Sequence, residues 1–387
     1  MKDFELQVPT KIVFGKNRVS EIGKYAKYYG KKLLMVYGMG SIKDNGVYDQ
    51  VIDSLKKEGL EIIEHSGVKS NPTLLHVNEG ISIAKKENAD FILAVGGGSA
   101  IDSAKAIAAG TLYNGNVWDF YEGTAKIKKA IPILTVLTIP ATGSEMNGGT
   151  VITNMKTKEK FGFIDKHLCP KVSILDPTVT YTIKHKYTSY SAVDACSHLL
   201  EGYFTHAEDW FPIQDRYVEG LIKTIIESTN IILEKPQDYK GRATFMWAAS
   251  LAWNGIGTAG LEGAEVPCHM FAHVLGAYYD IAHGAALSII TPGWMKFNLR
   301  RKTKRFAQFA RNTLEIKQSN DEDAALKGIQ AFQGWFVEIG SPVSFKDAGL
   351  PINELESLAD SVLKLAGVWG IKGYTRKNII DIFKLCL

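Results

Sequence analysis

The sequence predicts an α/β domain built on a parallel sheet over residues 1–185, followed by an all-helical domain over residues 186–387. Three observations carry that prediction. Short, continuously apolar runs alternate with helical patterns through about the first 180 residues. Glycine-rich turns follow several of those runs. After Lys186 strand-like runs nearly vanish and helical periodicity takes over.

The elements follow in order. Residues 32–37 (KLLMVY) read as a buried strand, 46–58 as a helix and 60–64 as a second strand. Residues 77–87 read as a helix, 91–95 (FILAV) as a strand and 100–109 as a helix. A strand at 133–139 (ILTVLTI) ends at Pro140, and another at 172–175 ends at Asp176-Pro177. Strands apolar at every position suit a parallel sheet covered on both faces. Beyond them, 192–204, 214–233, 243–253 and 324–339 read as helices. The apolar positions Phe4, Leu6, Val8, Ile12, Val13 and Phe14 suit a strand near the start.

The chain has 387 residues, long enough for two or three domains and a large core. Hydrophobic residues make up 45% and charged residues 22%, which excludes disorder and collagen-like structure. Lys and Arg total 45 against 41 Asp and Glu, a net charge of +4 with no field strong enough to suggest nucleic acid. The densest basic run, 300–305 (RRKTKR), reads as a solvated helix face. Cys169, Cys196, Cys268 and Cys386 form no Cys-x-x-Cys pair, which suits a reducing compartment. The opening MKDFELQVPT lacks an apolar signal core, and no uncharged apolar stretch reaches the roughly 18 residues of a membrane span. A soluble, cytoplasmic protein is expected.

Three loops after strands suit a ligand carrying phosphate. Gly96-Gly97-Gly98-Ser99 stands between a strand and a helix. Glycines let phosphate approach the backbone, and a helix N-terminus offers free N–H groups. Ser99 is placed to cap that helix, with Asp102 completing a box-like pair. The run is not a full G-x-G-x-x-G, because Ile101 stands at the third glycine position. Thr138-Ile139-Pro140-Ala141-Thr142-Gly143-Ser144-Glu145 and Tyr37-Gly38-Met39-Gly40-Ser41-Ile42-Lys43 follow two other strands. Each alone reads as a polar turn; three together suggest a nucleotide at a sheet edge.

The second half carries a histidine and carboxylate set. Asp194 and His198 lie four apart on a helix and share a face. His269 and His273 repeat the spacing, and His283 follows. Imidazoles in an apolar segment such as MFAHVLGAYY are costly unless they hold something. One carboxylate and three histidines offer a divalent metal site, expected to face the nucleotide crevice. Spacing does not choose among the three histidines.

These motifs resemble the iron-containing (group III) alcohol dehydrogenase family, in its butanol dehydrogenase-like branch, which includes broad aldehyde reductases. The stretches that carry the resemblance include FGKNRVSEIG, YGMGSIKDNGVYDQV, AVGGGSAIDSAKAIAAG, PILTVLTIPATGSEMN, ILDPTVTYT, VDACSHLLEGY and HVLGAYYDIAHGAALSIITPGWM. The resemblance implies a Rossmann-like first domain and a dehydroquinate synthase-like architecture overall. It implies Asp194, His198, His269 and His283 as metal ligands, with iron the expected metal and zinc an alternative. His273 matches an additional histidine near the nicotinamide, a proton relay or a second-shell hydrogen bond. Gly38, Ser41 and Lys43 match contacts near the adenosine ribose, and Asn71 another cofactor contact. Gly97, Gly98, Ser99 and Asp102 match the pyrophosphate site, and Thr138, Thr142, Ser144 and Lys160 the rest of the cofactor site. Glu265 and Val266 depart from the branch's usual Asp-Trp, and Met39 from its usual glycine.

The implied activity is NAD(P)H-linked interconversion of small primary alcohols and aldehydes, with no nucleic-acid or membrane partner, by a homodimer paired through edge strands. Alternatives are a dehydroquinate synthase-like lyase, a polyol dehydrogenase of the glycerol type, or a non-catalytic nucleotide- and metal-binding protein. The turn at 36–43 contains no acid. With Gly38, Ser41 and Lys43 it should attract a 2′-phosphate, so NADP is expected over NAD.

Overall fold

The computed structural model describes residues 1–207 and 210–387. They form two compact units. One comprises Gln7–Ile183 and Lys235–Asn254; the other comprises Met1–Leu6, Lys184–Glu234 and Gly255–Leu387.

The first unit holds a six-stranded parallel sheet in the order β1-β8-β5-β4-β2-β3. Its strands are β1 (Lys11–Phe14), β2 (Lys32–Gly38), β3 (Glu61–Val68), β4 (Phe91–Gly96), β5 (Ile133–Leu137) and β8 (Val172–Leu175). The apolar runs are buried on both sides. Leu33, Met35, Leu93 and Val95 pack with Val47, Val51 and Leu55 of helix α1 (Val47–Lys57). The alternating Leu34, Val36, Ile92 and Ala94 are equally buried. Each such aliphatic side chain contributes about 1.5–3 kcal/mol on burial. Helices α2 (Leu74–Glu87) and α3 (Gly98–Thr111) follow β3 and β4. Alanine and glycine let α3 pack closely: a Cβ on Gly110 would lie 2.3 Å from Ile81 Cδ1.

Between β5 and β8 an antiparallel hairpin interrupts the pattern, β6 (Gly149–Asn154) and β7 (Glu159–Ile164). The periodicity does not announce it, because Thr, Asn, Lys and Gly interleave its apolar positions. Only 11–14 of the apolar N-terminal segment forms a strand.

Among the described residues of the second unit the regular elements are helices: α4 (His185–Thr205), α5 (Pro212–Glu234), α7 (Pro267–Tyr279), α8 (His283–Asn312), α9 (Asp321–Glu338), α10 (Leu355–Trp369) and α11 (Arg376–Lys384). Helix α6 (Tyr239–Ala252) belongs to the first unit. Almost every residue of α4 from Ser191 to Phe204 is buried. Its end packs edge-to-face against Phe306 and Phe309 of α8 through Phe204. Among the described residues no helix is long and apolar enough to cross a membrane.

The basic run at 300–305 is not a uniformly solvated face. Lys302 leaves helical geometry (φ −124°, ψ 21°), and Arg305 turns inward. Its guanidinium donates to Asp215 Oδ1 at 2.6 Å and Oδ2 at 3.0 Å, and to Tyr203 O at 2.9 Å. Burial raises the Asp215 pKa, but Arg305 more than offsets this and holds it below the usual value. Both side chains are only 10% exposed, so removing one leaves the other charged and unpaired. Asp215→Ala should cost about 3–5 kcal/mol at neutral pH. A depressed carboxylate stabilises above its unfolded pKa of about 3.9 and loses that as pH falls through the native value. Urea unfolding of the two proteins should therefore converge in acid; a gap under about 1 kcal/mol at pH 7 would show that the pair behaves as a surface ion pair.

Candidate metal centre and nucleotide loops

Helix α4 presents Asp194, His198 and Glu201 at positions i, i+4 and i+7, one face over two turns. Pro267 opens α7, where a missing N–H costs nothing, and His269 is its third residue. His283 is the first residue of α8. Gly284 allows the start of α8 to meet α4: a Cβ there would lie 2.0 Å from Tyr190 O, one turn before Asp194.

These elements place three imidazole nitrogens around one carboxylate oxygen. His198 Nδ1 is 3.7 Å from Asp194 Oδ1, and His269 Nε2 and His283 Nε2 are each 3.6 Å away. These separations are too long for hydrogen bonds. Ligands about 2.0–2.2 Å from a tetrahedral centre lie about 3.3–3.6 Å from one another. The donor set therefore fits a divalent metal. Asp194, His198 and His269, all buried, offer ligand atoms within 4.8 Å of one another, and His283 joins through Asp194.

Glu201, absent from the sequence expectations, completes the arrangement. It is buried, accepts the His269 backbone N–H at 3.1 Å through Oε1, and contacts His269 Nδ1 through Oε2. A carboxylate behind a ligating imidazole fixes its tautomer and ring orientation. The signal was available in the spacing, since Glu201 lies one turn beyond His198. Burial lowers the His269 pKa, but Glu201 and Asp194 outweigh it and raise it to about 9. Burial lowers His198 to about 3, against the pull of Asp194.

His273, one turn beyond His269, is buried beside the set. Its ring lies 5.4 Å from that of His283 and 6.5 Å from that of His269, and meets Trp369 edge-on at 5.0 Å.

In the sheet unit, three predicted loops leave the carboxyl ends of adjacent strands β5, β4 and β2. Ligands of open α/β sheets bind at such ends, where the strand order changes direction. Cβ atoms on Gly97 and Gly98 would lie 3.1 Å from Ile139 Cβ and 2.6 Å from Thr142 Cγ2, so glycine lets the two loops touch. The Thr138 N–H donates to Gly96 O at 2.9 Å, and Thr142 Oγ1 accepts the Ser144 N–H at 3.1 Å. The hairpin carries Lys160 to Asn71, with Nζ donating to Oδ1 at 2.8 Å. Gly38 ends β2, and Ser41 and Lys43 lie in the single turn Ser41–Asp44.

Ser99 does not cap α3. The helix starts one residue earlier, at Gly98, so Ser99 lies inside its first turn and donates instead to Ser70 O at 2.6 Å. Asp102 likewise forms no box. Its Oδ1 accepts the Ser144 hydroxyl at 2.6 Å and its Oδ2 the Val151 N–H at 3.1 Å. Behind them Lys105 is fully buried and donates to Ser144 Oγ, Asn147 O and Gly149 O at 2.7–2.8 Å. Burial raises the Asp102 pKa and lowers that of Lys105, and each charge partly holds the other.

Two family models cover nearly the whole chain. Residues 9–177 match iron-containing alcohol dehydrogenase, and residues 188–387 match the C-terminal part of the Fe-containing alcohol dehydrogenase family. The chain belongs to the iron-containing alcohol dehydrogenase family. It is 42% identical to the NADH-dependent butanol dehydrogenase B of Clostridium acetobutylicum over 99% of each chain. It is 36% identical to an NADPH-dependent aldehyde reductase of Escherichia coli over 92% of each. The crystal structure of the NADH-dependent butanol dehydrogenase A of Thermotoga maritima matches 100% of this chain and 99% of that one, at 47% identity and a TM-score of 0.96.

If Glu201 orients His269 for a metal, Glu201→Gln should weaken metal affinity about 10–100-fold while leaving the helical circular dichroism intact. His283→Ala should lose the metal outright. Chelator competition and elemental analysis measure both; full occupancy in either variant counts against the assignment.

Proposed function

We propose that this protein is a metal-dependent, NAD(P)H-linked alcohol dehydrogenase that interconverts small primary alcohols and aldehydes of the butanol type. The observation that carries this reading is the set of three imidazole nitrogens around Asp194 Oδ1, with Glu201 behind His269. Butanol dehydrogenase and aldehyde reductase relatives over nearly the full chain support the substrate class and leave the polyol and lyase readings less supported. Asp194, His198, His269 and His283 hold the metal. Iron is the expected ion, and zinc suits the same donors.

When bound, the metal supplies Lewis acidity toward the substrate oxygen and the nicotinamide supplies or accepts the hydride. The protein's residues do the rest. Glu201 holds the His269 ring in place. Gly97 and Gly98 bring backbone N–H groups toward the pyrophosphate at the start of α3. Lys160 and Asn71 form a buried polar pair for the remainder of the cofactor. His273 passes a proton between the substrate oxygen and solvent. The chain works in the cytoplasm as a homodimer joined along edge strand β1, and light scattering should give twice the 42.7 kDa chain mass.

Cofactor preference rests on the turn after β2. Gly38 leaves it open, with only Val68 O near a Cβ, at 3.6 Å. We expect both cofactors to work and NADPH to give the higher kcat/KM. Gly38→Asp, whose Cβ would make only an ordinary contact there, should reverse the order by repelling the 2′-phosphate.

The deciding assay follows nicotinamide absorbance with metal, either cofactor and a panel of short aldehydes. No turnover across the panel overturns the proposed activity, and a higher kcat/KM with NADH overturns the turn reading. His273→Gln should keep its metal, lose about 10²-fold or more in kcat and flatten the pH profile. An unchanged profile assigns His273 a packing role.

A further inference from the structure

The turn expected to recognise the adenosine ribose lies beside an acidic residue on the neighbouring strand. Glu64 belongs to β3, which pairs with β2 through Met35↔Glu64. Its two oxygens are held by two tyrosines. The Tyr37 hydroxyl donates to Oε2 at 2.6 Å and the Tyr48 hydroxyl to Oε1 at 2.8 Å. Those rings also carry Lys43. Its ammonium lies 4.7 Å from the Tyr48 ring centroid and 5.6 Å from that of Tyr37. The two rings themselves meet edge-on at 6.0 Å.

The four side chains thus form one device. A cation over an aromatic face is held weakly at an exposed site, by about 0.5–1 kcal/mol. Both rings are fixed by the same carboxylate. Glu64 thus braces the rings over which the Lys43 charge rests; burial pushes its pKa up, but the Tyr37 and Tyr48 hydroxyls, with Lys43, hold it below the usual glutamate value. An acid following the strand itself would exclude a 2′-phosphate. Here the acid is displaced one strand sideways, onto the base of the one cation in the turn.

We infer that Glu64 is a specificity-determining residue for the cofactor: it restrains Lys43 and moderates the affinity of the turn for a 2′-phosphate, so that neither cofactor is excluded. The inference rests on the reading of the 38–43 turn as the 2′-phosphate recognition element. It assigns Glu64 a role that does not require contact with the cofactor.

The test uses adenosine 2′,5′-bisphosphate and AMP as probes, with binding measured by calorimetry on the intact protein. Kinetics with NADPH and NADH run alongside. Glu64→Gln preserves shape and removes the charge. It should tighten bisphosphate binding about two- to five-fold, the scale of an exposed ion pair, and leave AMP unchanged. It should lower KM for NADPH and leave kcat with either cofactor unchanged. The gain should vanish in a Lys43→Ala background and shrink as salt is raised. Equal tightening of AMP, or a gain that persists without Lys43, overturns the role of Glu64. If Lys43→Ala weakens bisphosphate binding but Glu64→Gln has no effect, the inference fails and the turn reading stands. If Lys43→Ala leaves bisphosphate binding unchanged, both fail.

Discussion

A buried carboxylate oxygen ringed by imidazole nitrogens at 3.6–3.7 Å leaves polar atoms close together without direct hydrogen bonds between them. Desolvating such groups costs several kcal/mol each unless a partner compensates. A divalent cation at their centre would be held by all four groups at once. Much of the helical unit is arranged to hold these groups still. Helix α4 carries Asp194 and His198 and is buried along most of its length. Arg305 ties its C-terminal end through Tyr203 O and Asp215, and Ser189 near its start donates to Ile339 O. Gly284 then lets the first turn of α8 touch the α4 backbone, which sets His283 near Asp194. Close packing and ligand placement are here the same constraint.

The parallel sheet was legible because burial on both faces leaves continuous apolar runs, as in KLLMVY and FILAV. The strand at 172–175 was read to the residue, since Asp176-Pro177 stops it. Helix ends were less legible. The apolar period begins only at residue 192, yet α4 runs from His185, because its exposed first turn carries no such period. The β6–β7 hairpin is not legible, because most of its buried positions are polar, Thr150, Thr153 and Lys160, which breaks the apolar pattern. Helix α6 was read correctly as a helix, but the sequence gives no sign that it packs with the sheet unit far from it in the chain.

The candidate metal site is half legible in the same sense. Asp-x3-His and His-x3-His reveal that side chains share a helix face, whereas which histidines converge depends on where separate helices meet. His283 could be chosen over His273 only from a resemblance; the structure places its Nε2 by Asp194 through the Gly284 contact. Glu201 escaped notice because a glutamate on a helix usually reads as a solvated charge. Its burial shows otherwise. Arg305 carried the same ambiguity, since a run such as RRKTKR does not reveal where a helix departs from regularity and turns one member inward.

The glycine loops argue from the opposite direction, through what is absent. Gly97 and Gly98 touch the loop after β5 at distances that a side chain would violate, so the β4 turn and the 138–144 turn form one surface. Lys105, Asp102 and Ser144 lock that surface from beneath. A fully buried lysine is tolerated because it donates to a hydroxyl and two backbone carbonyls, with the Asp102 carboxylate nearby. The charge buried under the loops thereby braces their backbone through the Asn147 and Gly149 carbonyls and the Ser144 hydroxyl. Lys43 instead stays exposed in the turn after β2, resting over the Tyr37 and Tyr48 rings that Glu64 holds. Burial thus separates the unit's charges into those that brace the glycine loops, Lys105 and Asp102, and those held at the surface beside aromatic rings, Lys43 and Glu64.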